Sequence, residues 1–169
     1  MDGRDPQNLR GDPISGDRYH APEFAQAEWE KMWTKIWHVA GRLVELEEAG
    51  DFVVHDFMNQ SVICVRQNDG SIKAFYNVCQ HRGNRIFSNR DGSVVEIACP
   101  YHGWEFDTQG HCQRIPALIG DADKQARRVK AHPVREQQGF VWVWADPDTA
   151  PDTEPYAFPY ADEEGYLVV

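Results

Sequence analysis

The sequence predicts a mainly β protein, an antiparallel sandwich or small barrel entered through one amphipathic helix. Three observations carry that expectation. Short runs rich in β-branched and aromatic residues recur between Trp37 and Trp144. Gly-bearing turns stand between them, and connections that short can join only antiparallel neighbours. Ahead of the first run, Trp29, Met32, Trp33 and Ile36 fall at helical spacing, with Glu23, Glu28, Glu30, Lys31 and Lys35 on other faces.

In chain order, residues 1–18 are rich in Asp, Gly, Arg and Pro and show no apolar period, so they read as a flexible lead-in. Pro22 suits the first turn of the helix that follows, because its missing N–H is one a helix start leaves unused. The aromatic stripe of that helix is expected to be a core or docking face. The expected strands are Trp37–Leu43, Phe52–Phe57, Val62–Arg66, Ile72–Val78, Val94–Ala98, Val129–Val134 and Phe140–Trp144. Turns are expected at Asn68-Asp69-Gly70, Asn89-Arg90-Asp91-Gly92, Asp107-Thr108-Gln109-Gly110 and Gln137-Gln138-Gly139, where Gly accepts a positive φ. Asp121–Arg128 reads as a loop or a short surface helix. Beyond Asp146 the chain is acidic and Pro-rich, without Lys or Arg, which reads as an extended linker. Gly165–Val169 reads as the opening of another strand, so a further domain is expected to follow. The organisation is then a lead-in (1–18), a β domain with its helix (19–145) and a linker (146–169).

Composition excludes several functions. The chain has 169 residues, 41% of them hydrophobic, enough for a single core. Its longest uninterrupted apolar run, Phe140 to Ala145, falls far short of the roughly 18 residues of a membrane span. No basic start followed by an apolar block suggests an export signal, and a cytoplasmic setting is expected. A net charge of −10 argues against nucleic acid, whose binding needs a basic footprint. With 4 cysteines, a disulfide framework is not the organising device.

The chemistry lies in Cys79-Gln80-His81-Arg82-Gly83 and Cys99-Pro100-Tyr101-His102-Gly103-Trp104. Each stretch offers one thiol and one imidazole, so two loops brought together present two sulfur and two nitrogen donors to a metal centre. Structural Cys₂His₂ zinc sites place their cysteines two to four residues apart and their histidines three to five apart. One Cys and one His per loop suits instead a two-iron cluster with thiolates on one iron and imidazoles on the other, the Rieske [2Fe–2S] arrangement. Gly83 and Gly103 follow the second donor of each loop, where a backbone without Cβ can pass close to inorganic sulfide. Pro100 stiffens the second loop.

The likeness extends beyond the donors. Trp37-His38-Val39-Ala40-Gly41-Arg42, the Gly50-Asp51-Phe52 turn, Asn77-Val78-Cys79-Gln80-His81-Arg82-Gly83 and Cys99–Trp104 resemble the N-terminal part of Rieske non-haem iron oxygenases, the large subunits of aromatic ring-hydroxylating dioxygenases. The resemblance covers roughly residues 19–145. It implies the Rieske (ISP-like) sandwich fold, with Cys79, His81, Cys99 and His102 as cluster ligands and Gly83, Tyr101, Gly103 and Trp104 beside them. It also implies an electron relay that takes electrons from a ferredoxin or reductase and passes them to a mononuclear Fe(II). That iron would sit in a separate C-terminal catalytic domain, of a neighbouring subunit in a trimer. No catalytic residue is expected in this stretch, because its other histidines, His20, His38, His55, His111 and His132, offer no closely spaced pair for such an iron. They read as surface or satisfied core residues. The alternatives are a stand-alone Rieske ferredoxin, which the N-terminal helix and acidic extension disfavour, and a zinc module.

Rieske proteins of respiratory complexes carry a Ser and a Tyr that donate hydroxyl hydrogen bonds to cluster sulfur. Here those places hold Trp104 and Phe106, and Asn84 and Tyr101 stand where that class has a disulfide. Fewer donors to sulfur imply a potential toward the low end of the Rieske range. Arg82, Arg85 and Arg90, near the first loop of an acidic chain, are candidate contacts for an acidic donor protein or for the catalytic domain. Cys64 reads as a buried strand thiol and Cys112 as an incidental loop cysteine.

Overall fold

The computed structural model describes residues 13, 15–161, 163 and 165. The lead-in up to residue 12 and the strand expected at its far end, residues 166–169, lie outside the described residues. The chain divides into two compact units, up to Trp33 and from Thr34 onward. In the first, a 3-10 turn at Gly16–Tyr19 is capped by Ser15 and leads into α1, Pro22–Lys31, with Pro at its start. None of its helical residues is fully buried. The helix closes earlier than its apolar spacing suggests: Met32 caps it through its N–H to the Glu28 carbonyl, and Trp33–Lys35 forms a separate 3-10 turn. Trp and Thr are weaker helix formers than the residues before them, and Ile36 already belongs to the approach to the first strand.

The second unit is built from antiparallel sheets, as expected. β1 (Trp37–Arg42), β11 (Phe140–Trp144) and β10 (Val134–Gln137) form one sheet in the order β1-β11-β10. The central sheet runs β5-β2-β3-β4-β9, from Asp91–Ser93, Asp51–Phe57, Gln60–Arg66, Ile72–Tyr76 and Ala131–His132. A small third sheet joins β6 (Ile97–Ala98), β7 (Glu105–Phe106) and β8 (Cys112–Arg114).

The central sheet is covered on both faces. Val53, Val62, Cys64, Ile72 and Ala74 pack with Val141 and Val143 of the first sheet. Phe52, Val54, Ile63, Val65 and Phe75 pack on the other side with Cys79, Cys99, Ile97 and Phe106. That is why β2 and β3 read as near-continuous apolar runs rather than as clean alternation. Cys64 is a fully buried core thiol, as expected, and burial pushes its pKa up to about 12.

Several expected elements shift for identifiable reasons. Pro133 has no N–H to continue a ladder, so the expected Val129–Val134 strand splits into β9 and β10. The β4 strand stops at Tyr76 rather than Val78. The run Val94–Ala98 keeps only Ile97–Ala98, since Val95 and Glu96 face solvent. Asn89–Gly92, expected as a turn, supplies β5 instead: Gly92 sits opposite Phe52, and a Cβ there would lie 3.0 Å from the Phe52 ring. The expected Gly turns at Asn68–Gly70 and Gln137–Gly139 do close β3–β4 and β10–β11, and Asp107–Gly110 closes β7–β8. Within Asp121–Arg128, Gln125–Arg127 is a 3-10 turn.

The acidic segment after β11 is a strap rather than a free linker. Trp37 Nε1 donates to the Thr153 carbonyl (2.7 Å), and Gln138 exchanges two hydrogen bonds with the backbone of Phe158 (2.7 and 3.2 Å). The Phe158 ring meets Phe140 and Trp142 at 5.5 and 6.0 Å. Its acidic residues meet basic ones on the domain, Asp148 with Lys130 and Glu154 with Arg135. Composition shows an acidic, Pro-rich segment but not the aromatic partners waiting on β1 and β11.

His38 on β1 and His55 on β2 meet across the sheets, His55 Nε2 to His38 Nδ1 at 3.4 Å, with Phe57 against both rings. Burial foremost, then the neighbouring His38, lowers the His55 pKa to about 4, against a smaller opposing pull from Asp56. The unfolded chain takes up this proton near the ordinary value of 6.5 and the folded chain only near 4, so between those values the unfolded state binds more protons. Stability is therefore expected to fall as pH drops from about 6.5 toward 4, by roughly 1–2 kcal/mol after allowing for the ring's partial exposure. Denaturant unfolding as a function of pH checks this; His55→Gln should flatten the slope in that window.

Candidate metal centre

Two loops of matching construction stand on one side of the central sheet. In the first, Gly83 N–H donates to the Cys79 carbonyl (3.0 Å) and Cys79 N–H to the Asn84 carbonyl (2.8 Å). In the second, Gly103 N–H donates to the Cys99 carbonyl (3.0 Å) and Cys99 N–H to the Trp104 carbonyl (2.8 Å). Gly83 and Gly103 share a φ of +68°, a left-handed value that favours Gly and lets each loop turn back after its histidine. Across the two loops, Asn84 Nδ2 lies 4.0 Å from Cys99 Sγ.

This construction sorts the donors by depth. Cys79 and Cys99 are each 2% exposed, within the apolar cluster that includes Ile86, Ile97 and Phe106. His81 and His102 lie at the solvent-exposed tips, their ring centroids 4.6 Å apart. Trp104, from the second loop, stacks flat on His81 of the first, centroids 4.9 Å apart and planes 5° apart. Tyr101 leans on His102 at 3.8 Å while staying exposed. The sequence-predicted residues are thus brought together, thiols below and imidazoles above.

Electrostatics favour ligation over free ionisation. Burial pushes the Cys79 thiol up to about 11, and the adjacent Cys99 adds to this against a backbone hydrogen bond at His81. A thiolate there needs a cation to stabilise it. Desolvation, His81 and Arg82 together hold His102 below its ordinary value, toward the neutral form that can ligate. Among the described residues no three His, Cys, Asp or Glu side chains converge on a position for one metal ion. A two-iron cluster asks each iron for only two protein donors, so paired thiols and paired imidazoles fit it.

Cys112 needs correcting. It opens β8 rather than idling in a loop, is fully buried, and shares the apolar cluster of Cys79 and Cys99. The alternation of buried Cys112 with exposed Gln113 behind the Asp107–Gly110 turn was the available signal. The arginines also separate. Arg85 Nη2 reaches both carboxylate oxygens of Asp56 at 2.6 Å, and its Nε meets the Phe87 carbonyl, so its charge is largely answered within the domain. This holds the Asp56 carboxyl below the usual range. Arg82 is exposed beside the histidine tips, and Arg90 lines a flanking cleft of about 650 Å³ with Arg42, His55 and Ser88.

The other histidines lie elsewhere. His20 and His111 sit near Asp17 and Asp107, and His38 pairs with His55. Buried His132 contacts the Trp144 carbonyl at 3.0 Å through Nδ1, but its Nε2 has no partner among the described residues. It is therefore an incompletely satisfied core histidine, held neutral by burial. No described helix is long and apolar enough to cross a membrane.

Comparison with known proteins agrees with this geometry. The carnitine monooxygenase oxygenase subunit of Escherichia coli (strain K12) is 33% identical over 134 residues, covering 78% of this chain and 36% of that protein. The large oxygenase component of the naphthalene 1,2-dioxygenase system of Pseudomonas aeruginosa is 34% identical over 148 residues, covering 85% and 32%. Among solved structures, the quaternary ammonium Rieske monooxygenase CntA superposes with a TM-score of 0.72 at 26% identity, over 79% of this chain and 38% of that one. Naphthalene 1,2-dioxygenase with indole bound gives 0.67 at 30% identity, over 76% and 30%. The chain spans about a third of the length of these curated relatives. With the Rieske [2Fe-2S] domain profile matching residues 36–133, and the sandwich carrying its two cysteine–histidine loops, this chain belongs to the Rieske [2Fe-2S] domain family.

Proposed function

We propose that Cys79, His81, Cys99 and His102 hold the [2Fe–2S] cluster, the cysteines on the buried iron and the histidines on the outer one. The observation that carries this is the depth sorting: two buried thiols beneath two exposed imidazoles, on loops closed by the same hydrogen bonds. When bound, the cluster supplies one-electron redox chemistry. The residues around it exclude water from the sulfur side and leave the imidazole edges open to a partner. Trp104 holds the His81 ring plane, and Tyr101 does the same for His102 from the exposed side.

The domain then works as an electron relay of an oxygenase terminal component. It takes electrons from a ferredoxin or reductase and passes them to a mononuclear non-haem iron in a catalytic domain beyond this chain. A neighbouring subunit of a trimer would supply that domain; inter-subunit electron transfer is described for the carnitine-oxidising relative. The relatives act on carnitine, glycine betaine and aromatic compounds with the same domain, so its residues serve electron delivery rather than substrate choice. This reading includes a cytoplasmic setting, with which the free thiols of Cys79 and Cys99 are compatible.

The potential should be low. Phe106 is buried and Trp104 stacks on a ring, so neither side chain offers a hydroxyl to sulfur. Arg82, exposed beside His102 in a chain of net charge −10, is the best placed cation for an acidic electron donor. Arg90 is a second candidate, and Arg85 a weaker one because Asp56 already occupies it.

Purified protein should be red-brown and give a reduced-state electron spin resonance signal, which Cys79→Ser or His102→Ala abolishes; a colourless, zinc-loaded protein overturns the assignment. Cys112→Ala should keep the signal and cost about 1 kcal/mol in denaturant unfolding, as a buried packing group does. Redox titration should place the midpoint near the lower end of the Rieske range, which runs from about −150 to +300 mV. Arg82→Glu should slow reduction by an acidic ferredoxin several-fold at low salt and much less at high salt.

A further inference from the structure

The two ligand loops differ at their necks. The second loop rises from a β-ladder: Ile97 pairs with Phe106 and Ala98 with Glu105, directly below Cys99 and Trp104. The first has no such ladder. β4 stops at Tyr76, and the returning arm, Ile86 to Ser88, lies in no strand.

One side chain stands where the ladder is missing. Asn77 is 3% exposed. Its Oδ1 accepts from the backbone N–H of Ile86 (3.1 Å) and of Phe87 (2.8 Å). Its Nδ2 donates to the Phe87 carbonyl (2.8 Å) and to Ser61 Oγ (3.1 Å). Two donor hydrogens and two acceptor lone pairs are the full capacity of a carboxamide, and all are used. The Asn77 backbone N–H also donates to the Ser61 carbonyl (2.8 Å), so the residue is anchored on β3 while it grips the far arm of the loop. The gripped residues lead into the core: Ile86 packs in the cluster with Cys79 and Cys99, and Phe87 stacks on Phe52 at 4.3 Å.

We propose that Asn77 is a positioning residue for the metal centre, a clamp that replaces a β-ladder and fixes the loop carrying Cys79 and His81. This rests on the ligand assignment above and goes beyond it by naming what holds that loop in place. Gln could not make the same bonds from this backbone, because one more methylene moves the amide past Ile86 and Phe87. Leu, similar in volume, would leave the amides of Ile86 and Phe87 unanswered, while the Phe87 carbonyl would keep Arg85 Nε and the Ser61 hydroxyl would keep Asp56.

The experiment uses the 169-residue chain and three variants, Asn77→Ala, Asn77→Asp and Ser61→Ala. Asn77→Ala should raise amide hydrogen exchange at Ile86 and Phe87 about tenfold or more while leaving Cys99 and Gly103 as protected as before. It should also speed loss of the visible absorbance to an iron chelator and alter the nitrogen hyperfine couplings of the reduced centre. Asn77→Asp keeps the acceptor for both amides but loses the donated bonds, so its effects should fall between those of Asn77→Ala and Ser61→Ala. If Asn77→Ala does not fold, Asn77→Asp decides. Exchange that rises equally in both loops, or chelator loss and couplings equal to wild type, overturns the proposal. The exchange readout is made on metal-free protein as well. A colourless wild type therefore counts against the ligand assignment, while unchanged exchange at Ile86 and Phe87 counts against the clamp.

Discussion

Everything in this domain depends on bringing two buried thiols together beneath two exposed imidazoles. Cys79 and Cys99 come from loops twenty residues apart in sequence, and neither loop is long enough to have a core of its own. Both take their apolar footing from one face of the central sheet, where Phe52, Val54, Ile63, Val65 and Phe75 provide the floor. The opposite face of that sheet is closed by β1, β10 and β11. A sheet buried on both sides is stiff, because close-packed side chains resist displacement, and that stiffness reaches the donors. The Cys79 thiol is hard to ionise in such surroundings, because burial disfavours its charged form.

The same constraint orders the surroundings by depth. The sulfur side is apolar and includes a third buried thiol, Cys112, while the imidazole side carries Tyr101, Trp104 and Arg82 toward solvent. That outer side is where His81 and His102 meet solvent. The two loops achieve equivalent backbone closure by unequal means, one through a ladder and the other through a single carboxamide. An acidic strap then returns over β1, β10 and β11, its charges matched by Lys130 and Arg135 and its aromatic ring seated on Phe140 and Trp142.

Legibility in the sequence followed the range of the interactions. The two cysteine–histidine loops were readable because their residue types stand at short spacing and Gly83 and Gly103 mark their turns. Most strands were readable because β-branched and aromatic runs announce themselves. The two-residue strand β7 and the three-residue strand β8 were not, since elements so short have no period of their own and exist only by pairing. Gly92 looked like a turn residue, whereas on β5 its missing Cβ leaves room for the ring of Phe52, forty residues away. The fate of Arg85 was likewise hidden, because its partner Asp56 lies on another element.

The sequence by itself determined the family, the two cysteine–histidine motifs and the antiparallel β character, because each depends on local chemistry: which residue types stand at short spacing, which backbones favour strands, where Gly permits a turn. Only the tertiary structure decided how those pieces are held. It placed Cys112 in the apolar cluster of Cys79 and Cys99, turned an acidic tail into a docked strap, left His132 Nε2 without a partner among the described residues and set Asn77 against both arms of the loop that carries Cys79 and His81. These outcomes are set by contacts between residues distant in the chain, where geometry rather than composition selects the partner.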